Sequence, residues 1–137
     1  MRESTKGTLS KKNQYYIPKY RYYELKYRCL QYDEWIKERN DISYTWSKRF
    51  ENDRVDGGET KDTIMDILNR DDDLREKIRS INLALQHVPL DLREPIKYAV
   101  TKGAGWSVVQ ARYSLICTRD EYYNAYHKFF WTLDKLV

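Results

Sequence analysis

The amino-acid sequence predicts an all-α fold, and three observations carry the prediction. Two long stretches, 20–36 and 64–88, place apolar residues at three- and four-residue steps, the spacing that gathers them on one face of a helix. Asp91-Leu92-Arg93-Glu94 and Thr118-Arg119-Asp120-Glu121 have the spacing of helix-starting capping boxes. Gly57, Gly58, Gly103 and Gly105 fall between the patterned stretches, where helices would stop.

In chain order, residues 1–13 are polar, basic and nearly free of large apolar groups, and are expected to form a disordered basic tail. Residues 14–88 are expected to form a helical hairpin. Pro18 suits the first turn of a helix, where its missing N–H costs nothing. Tyr22, Leu25, Cys29, Tyr32 and Ile36 then share one face, and Tyr20, Tyr23, Tyr27 and Leu30 share another. A helix apolar on two faces belongs between two others, or else turns its tyrosines to a partner protein, where tyrosine is enriched. Those tyrosines, beside Lys19, Arg21 and Lys26, also have the chemistry to bond phosphates. The stretch 43–50 reads as a helical extension or a short separate turn. Around residues 52–60, Asp56-Gly57-Gly58 marks a loop.

A second long helix is expected from Thr60 or Asp62. Ile64, Ile67, Asp71, Leu74, Ile78, Ile81, Leu85 and Val88 form a heptad stripe interrupted only by Asp71. Closing onto the first helix as an antiparallel hairpin needs no second molecule and little loop entropy. Dimerisation through the remaining apolar face stays open, so a monomer or a homodimer is expected. Asp71-Asp72-Asp73, followed by Arg75, Lys77 and Arg79, reads as a solvated face with local ion pairs. Pro89 ends this helix, and the Asp91–Glu94 box starts another that runs to about Thr101, with Pro95 in its first turn or so and Gly103 and Gly105 as terminators.

Charge is uneven. Residues 1–28 hold eight basic and two acidic residues, 29–96 eleven and sixteen, and 97–137 six and three. Both ends can meet a polyanion and the middle cannot. No apolar run approaches the roughly 20 residues of a membrane span, and Met1-Arg2-Glu3-Ser4-Thr5-Lys6 lacks the apolar core of a secretory signal. A cytoplasmic protein with no membrane partner is therefore expected. Cys29 and Cys117 lack metal-ligand spacing and read as small buried hydrophobes in a reducing compartment. With no glycine-rich phosphate loop, nucleophile–base pair or ligand cluster, neither an enzyme, a metal site nor a cofactor is expected.

The functional signal lies in residues 90–137. Trp106, Val109 and Tyr113 fall on one side of a short helix. Ser114 to Cys117 make a tight turn with Leu115 or Ile116 pointing inward, and Thr118 caps a longer helix with Glu121 closing the box. On that helix Tyr122, Tyr126, Phe129, Leu133 and Leu136 share the apolar face. Asp120, Asn124, His127, Lys128, Trp131 and Lys135 lie opposite, with Tyr123 at the boundary. Short helix, tight turn and capped longer helix with a polar face make a helix-turn-helix. Arg119, Asp120, Tyr123, Asn124, His127 and Lys128 are then the candidate DNA-reading residues, since arginine and lysine donate to guanine and asparagine pairs with adenine. Lys102 and Arg112 are candidate phosphate contacts, which would make binding salt-sensitive.

The segments Ile17-Pro18-Lys19-Tyr20-Arg21-Tyr22-Tyr23-Glu24-Leu25-Lys26-Tyr27 with Cys29-Leu30-Gln31-Tyr32, and Cys117-Thr118-Arg119-Asp120-Glu121-Tyr122-Tyr123 with Phe129-Phe130-Trp131, resemble a family of small phage proteins from low-GC Gram-positive hosts. These are sigma-factor-like regulators of late-gene transcription, similar to the RinA-type activators. The resemblance covers most of residues 14–137 and weakens over 40–62. It implies a helical protein with a module like sigma region 4 that binds double-stranded DNA at late phage promoters, with host RNA polymerase as a further candidate partner. Gln110 and Ser114 stand where many helix-turn-helices carry alanine and glycine. Two other readings are kept: a DNA-packaging adaptor like a small terminase subunit, and an adaptor that binds RNA polymerase without gripping DNA.

Overall fold

The computed structural model describes residues 12–52 and 61–137. Most of the expected tail, residues 1–11, lies outside the described residues, as does most of the expected glycine loop, 53–60. An asparagine turn orders the chain just before the first helix. The Asn13 carboxamide accepts from the Tyr15 N–H at 2.8 Å, and its carbonyl accepts from the Tyr16 N–H at 3.1 Å. The described residues form six helices and no strand: α1 (Lys19–Leu30), α2 (Tyr32–Asn52), α3 (Lys61–Gln86), α4 (Leu90–Lys102), α5 (Trp106–Tyr113) and α6 (Arg119–Leu136). No helix among them is long and apolar enough to cross a membrane.

Two compact units emerge. One joins the residues up to Gln31 with Ser80–Val137, and the other is Tyr32–Arg79. This differs from the expected division into a hairpin over 14–88 and a separate module over 90–137. The reason is local: the single helix expected through Ile36 breaks at Gln31. Its N–H bonds to the carbonyls of Arg28 and Cys29, a tightened last turn, and a new helix starts at Tyr32. The break also shifts the buried face, so that Trp35 is buried and Ile36 only half-buried. Neither proline nor glycine stands there to announce it.

Within Tyr32–Arg79, side chains of α2 and α3 meet in antiparallel order. The Lys77 ammonium lies 5.6 Å from the Trp35 ring, Arg70 bonds both oxygens of Glu38 at 2.6 and 2.9 Å, and Arg39 bonds both oxygens of Asp71 at 2.8 and 3.3 Å. The one polar interruption of the heptad stripe is thus occupied by a cross-helix carboxylate. Its arginine holds the Asp71 carboxyl below the usual range, as Arg70 does for Glu38. Asp72 and Asp73 pair locally with Arg75 and Lys77. The ambiguous 43–50 stretch is part of α2.

In the other unit α1 packs on α4 and α6, and α4 on α5 and α6. Tyr22, Leu25 and Cys29 point into this core, together with Ile81, Leu85 and Val88 from the end of the heptad stripe. The second α1 stripe is not packed between helices: Tyr20 is 75% and Tyr27 62% exposed. The capping box expected at Asp91–Glu94 does not form. Pro89 is the N-cap, with the extended backbone that its ring favours, and the helix starts at Leu90. Arg93 is engaged elsewhere. It donates to the carbonyls of Leu85, Gln86 and Val88 at 3.0 to 3.2 Å, satisfying acceptors left open at the end of α3. Gly103 ends α4 in the left-handed conformation (φ 70°), and a β-carbon there would press on Leu30 at 3.3 Å.

Candidate nucleic-acid interface

The short helix α5 is fixed by its own apolar side. Val109 is fully buried, the Trp106 ring lies 5.0 Å from that of Tyr122, and the Tyr113 ring meets Tyr98 edge-on at 5.9 Å. Ser114 then takes the left-handed conformation (φ 50°), the only residue other than glycine among those described to do so. Gln110 closes the turn from both ends. Its carbonyl accepts from the Leu115 N–H and its side-chain amide donates to the Leu115 carbonyl, each at 3.2 Å. The two residues that depart from the common helix-turn-helix pattern therefore make the turn themselves. Leu115 is half-buried and Ile116 is wholly exposed, which settles the inward residue. Cys117 is half-buried in this turn rather than buried like Cys29, and neither forms a disulfide.

The capping box at the start of α6 is complete. Thr118 Oγ1 accepts from the Glu121 N–H at 3.1 Å, and the Glu121 carboxylate accepts from the Thr118 N–H at 2.9 Å. That hydrogen bond holds the Glu121 carboxyl below its usual range. Tyr122, Ala125, Phe129, Phe130 and Leu133 are buried beneath the helix, while the expected apolar residue Leu136 is 41% exposed.

The candidate side chains divide by exposure. Arg119, Asp120 and Asn124 are exposed within the first two turns, and Tyr123 and Lys128 are half-buried beside them. The Arg119 guanidinium lies 5.6 Å from the Tyr123 ring centre. Lys102 and Arg112 are exposed, and Arg112 is steadied over Tyr98 at 4.4 Å.

His127 departs from the expected polar face. It is only 8% exposed, with its ring beside Tyr123 and Tyr126, and burial lowers its pKa to about 4. It is a neutral packed imidazole, closed to any base. One turn further on, the expected polar-face residue Trp131 meets Tyr15 edge-on at 5.5 Å and carries Lys135 over its ring at 4.2 Å. The carboxy-terminal half of α6 is likewise tied to α1: Arg21 pairs with Asp134 at 2.6 Å, the Tyr22 and Tyr126 hydroxyls share a hydrogen bond of 2.8 Å, and Tyr22 packs on Phe130. From sequence, Trp131 and the helix beyond Lys128 are expected to pack on the amino-terminal helices or on a partner, but the individual contacts are not legible, because each partner lies more than a hundred residues away. The only signal was the odd placement of Trp131 on a polar face.

A cleft of about 410 Å³ adjoins the start of α6, between α1, the α4–α5 connection and the first turn of α5. No group of three or more His, Cys, Asp or Glu side chains among the described residues is placed to hold a metal ion. No family model matches the chain, and neither a curated protein nor a solved structure matches it.

Proposed function

We propose that this protein binds duplex DNA through the first half of α6 and regulates transcription. In this reading α4–α6 are a helix-turn-helix module with α6 as recognition helix, and α2 with α3 is an antiparallel hairpin attached to it. The observation that supports it best is the start of α6. A closed capping box and a buried apolar face hold the helix, while Arg119, Asp120 and Asn124 stand open to solvent in its first two turns. Arginine and asparagine are the side chains suited to guanine and adenine edges, and Asp120 can accept from cytosine. The exposed Lys102 and Arg112 supply phosphate contacts.

The resemblance to sigma-like phage regulators gives this reading its biological form: activation of late phage genes in the host cytoplasm. Exposed Tyr20 and Tyr27 favour an added protein contact, for which host RNA polymerase is the candidate.

Binding to operator and random duplexes across a salt series tests the proposal. Arg119→Ala and Asn124→Ala should each reduce discrimination by about 1–3 kcal/mol, as expected for lost base contacts. Arg112→Ala should weaken both duplexes alike and flatten the salt dependence. Full operator preference in the Arg119→Ala/Asn124→Ala double variant would remove α6 as the recognition helix.

A further inference from the structure

We propose that Tyr98 and Tyr123 are positioning residues for DNA binding, a role that rests on α6 being the recognition helix. Each holds an arginine on its ring with the guanidinium donors left open: Tyr98 holds Arg112, and Tyr123 holds Arg119. The arginines of the molecule divide by what holds them. Arg21, Arg39, Arg70 and Arg75 give their donors to carboxylates, and Arg93 gives its own to main-chain carbonyls. Arg112 and Arg119 stand on the two helices that flank the Ser114–Cys117 turn. They form no ion pair among the described residues and lie over tyrosine rings instead. The difference is chemical. A carboxylate consumes N–H donors and neutralises the charge, whereas a ring takes only the flat face of the guanidinium and leaves its edge free. A side chain held in this way also loses less freedom on binding.

Tyr98 is half-buried on α4, its backbone fixed by the buried Ala99 and Val100, and α5 packs against that helix. The Arg112 guanidinium lies 4.4 Å from the Tyr98 ring centre and 5.8 Å from that of Tyr113, and the two rings meet edge-on at 5.9 Å. Arg112 is therefore held between two helices, with the fully buried Val109 one turn earlier anchoring its own. Lys102 follows Tyr98 by four residues and shares its face of α4, so the second candidate phosphate contact lies on the same side. Tyr123 repeats the arrangement inside α6, four residues after Arg119. Its ring centre is 5.6 Å from that guanidinium and is backed by the rings of Tyr122, Tyr126 and His127. Rings that are themselves packed can aim the side chains they carry.

The test joins NMR relaxation of the arginine Nε–Hε groups in the free chain to duplex affinity of the same variants. The probes are a random duplex and a duplex selected by the parent chain from a random pool. Arg112 Nε–Hε should be ordered in the parent and in Tyr98→Phe, and mobile in Tyr98→Leu. Tyr98→Leu should weaken both duplexes alike by about two- to fivefold, the size of an exposed cation–π contact. Tyr123→Leu should instead lower the preference for the selected duplex by a similar factor. Both Phe variants keep a ring and should keep parental binding. The roles are overturned if the Arg112 guanidinium is mobile in the parent, if Tyr98→Leu frees it at unchanged affinity, or if the Phe variants bind as weakly as the Leu ones. Those results would leave the DNA reading standing, because Arg112→Ala and Arg119→Ala report on it directly. A parent chain that binds no duplex would remove the DNA reading and both roles with it.

Discussion

Protonation of His127 should make the fold acid-sensitive in a window that ordinary carboxylates do not reach. The imidazole is buried and neutral, its pKa lowered by desolvation from 6.5 to about 4. The unfolded chain therefore takes up this proton before the folded chain does. Stability is unaffected above the unfolded value, falls as pH drops below it, and stops falling once the folded pKa is passed. At about 1.36 kcal/mol per unit, a shift of this size is worth on the order of 3 kcal/mol in total. Linkage places about 2 kcal/mol of that loss between pH 7 and pH 5. Against the roughly 5–15 kcal/mol of a typical domain the effect is large. Glu38, Asp71 and Glu121 have lowered pKa values, so their contributions persist through this window and are lost only at lower pH. Urea denaturation at pH 7, 6 and 5 should show the decline in the parent chain. His127→Gln, less stable at pH 7, should lack most of it, and the His127 imidazole should not titrate above pH 5 by NMR. Equal pH slopes for parent and variant would refute the assignment.

Local geometry sets three further outcomes. Thr118→Ala removes a cap that accepts from Glu121 N–H and should cost about 1 kcal/mol, read as a lower urea midpoint at unchanged slope. Ser114→Gly relieves a left-handed serine and should stabilise by about 0.5–1 kcal/mol in the same assay. A double-mutant cycle on Arg39→Ala and Asp71→Ala should return a coupling of about 0.5–1 kcal/mol that shrinks in high salt, since the pair is bidentate but partly exposed.

The C-terminal helices were legible because their signals are local. Thr118 and Glu121 are three residues apart, and the apolar spacing of Tyr122, Phe129 and Leu133 needs no distant partner. The failures all involve long-range or backbone competition. The Asp91–Glu94 box lost to Pro89, whose ring already supplies the extended N-cap backbone, and to Arg93, drawn to the carbonyls of Leu85, Gln86 and Val88. The break at Gln31 has no residue-level marker, and helical periodicity runs through it unaltered. His127 read as polar-face because its position on the helix wheel is polar. Only the tertiary structure buries it.

These burials narrow the candidate interface to less than the polar stripe of α6. Tyr126 holds Tyr22 and His127 is enclosed, and further along Trp131 meets Tyr15 and Asp134 holds Arg21, so these positions of the second half of the helix are committed to the fold. What stays open is Arg119, Asp120 and Asn124, with Tyr123 and Lys128 at the margin. The attachment of α1 makes this division physically necessary. A helix anchored along its second half can present its first two turns at a constant angle, which base readout demands. The Tyr22–Tyr126 hydroxyl pair gives a direct measure of that anchoring. Tyr22→Phe leaves a part-buried phenol without its partner and should cost about 1–2 kcal/mol of stability. Under the proposed reading, it should also weaken operator preference without touching any base-facing group. A variant that loses the stability but keeps full preference would show that α1 supports the fold and has no part in aiming α6.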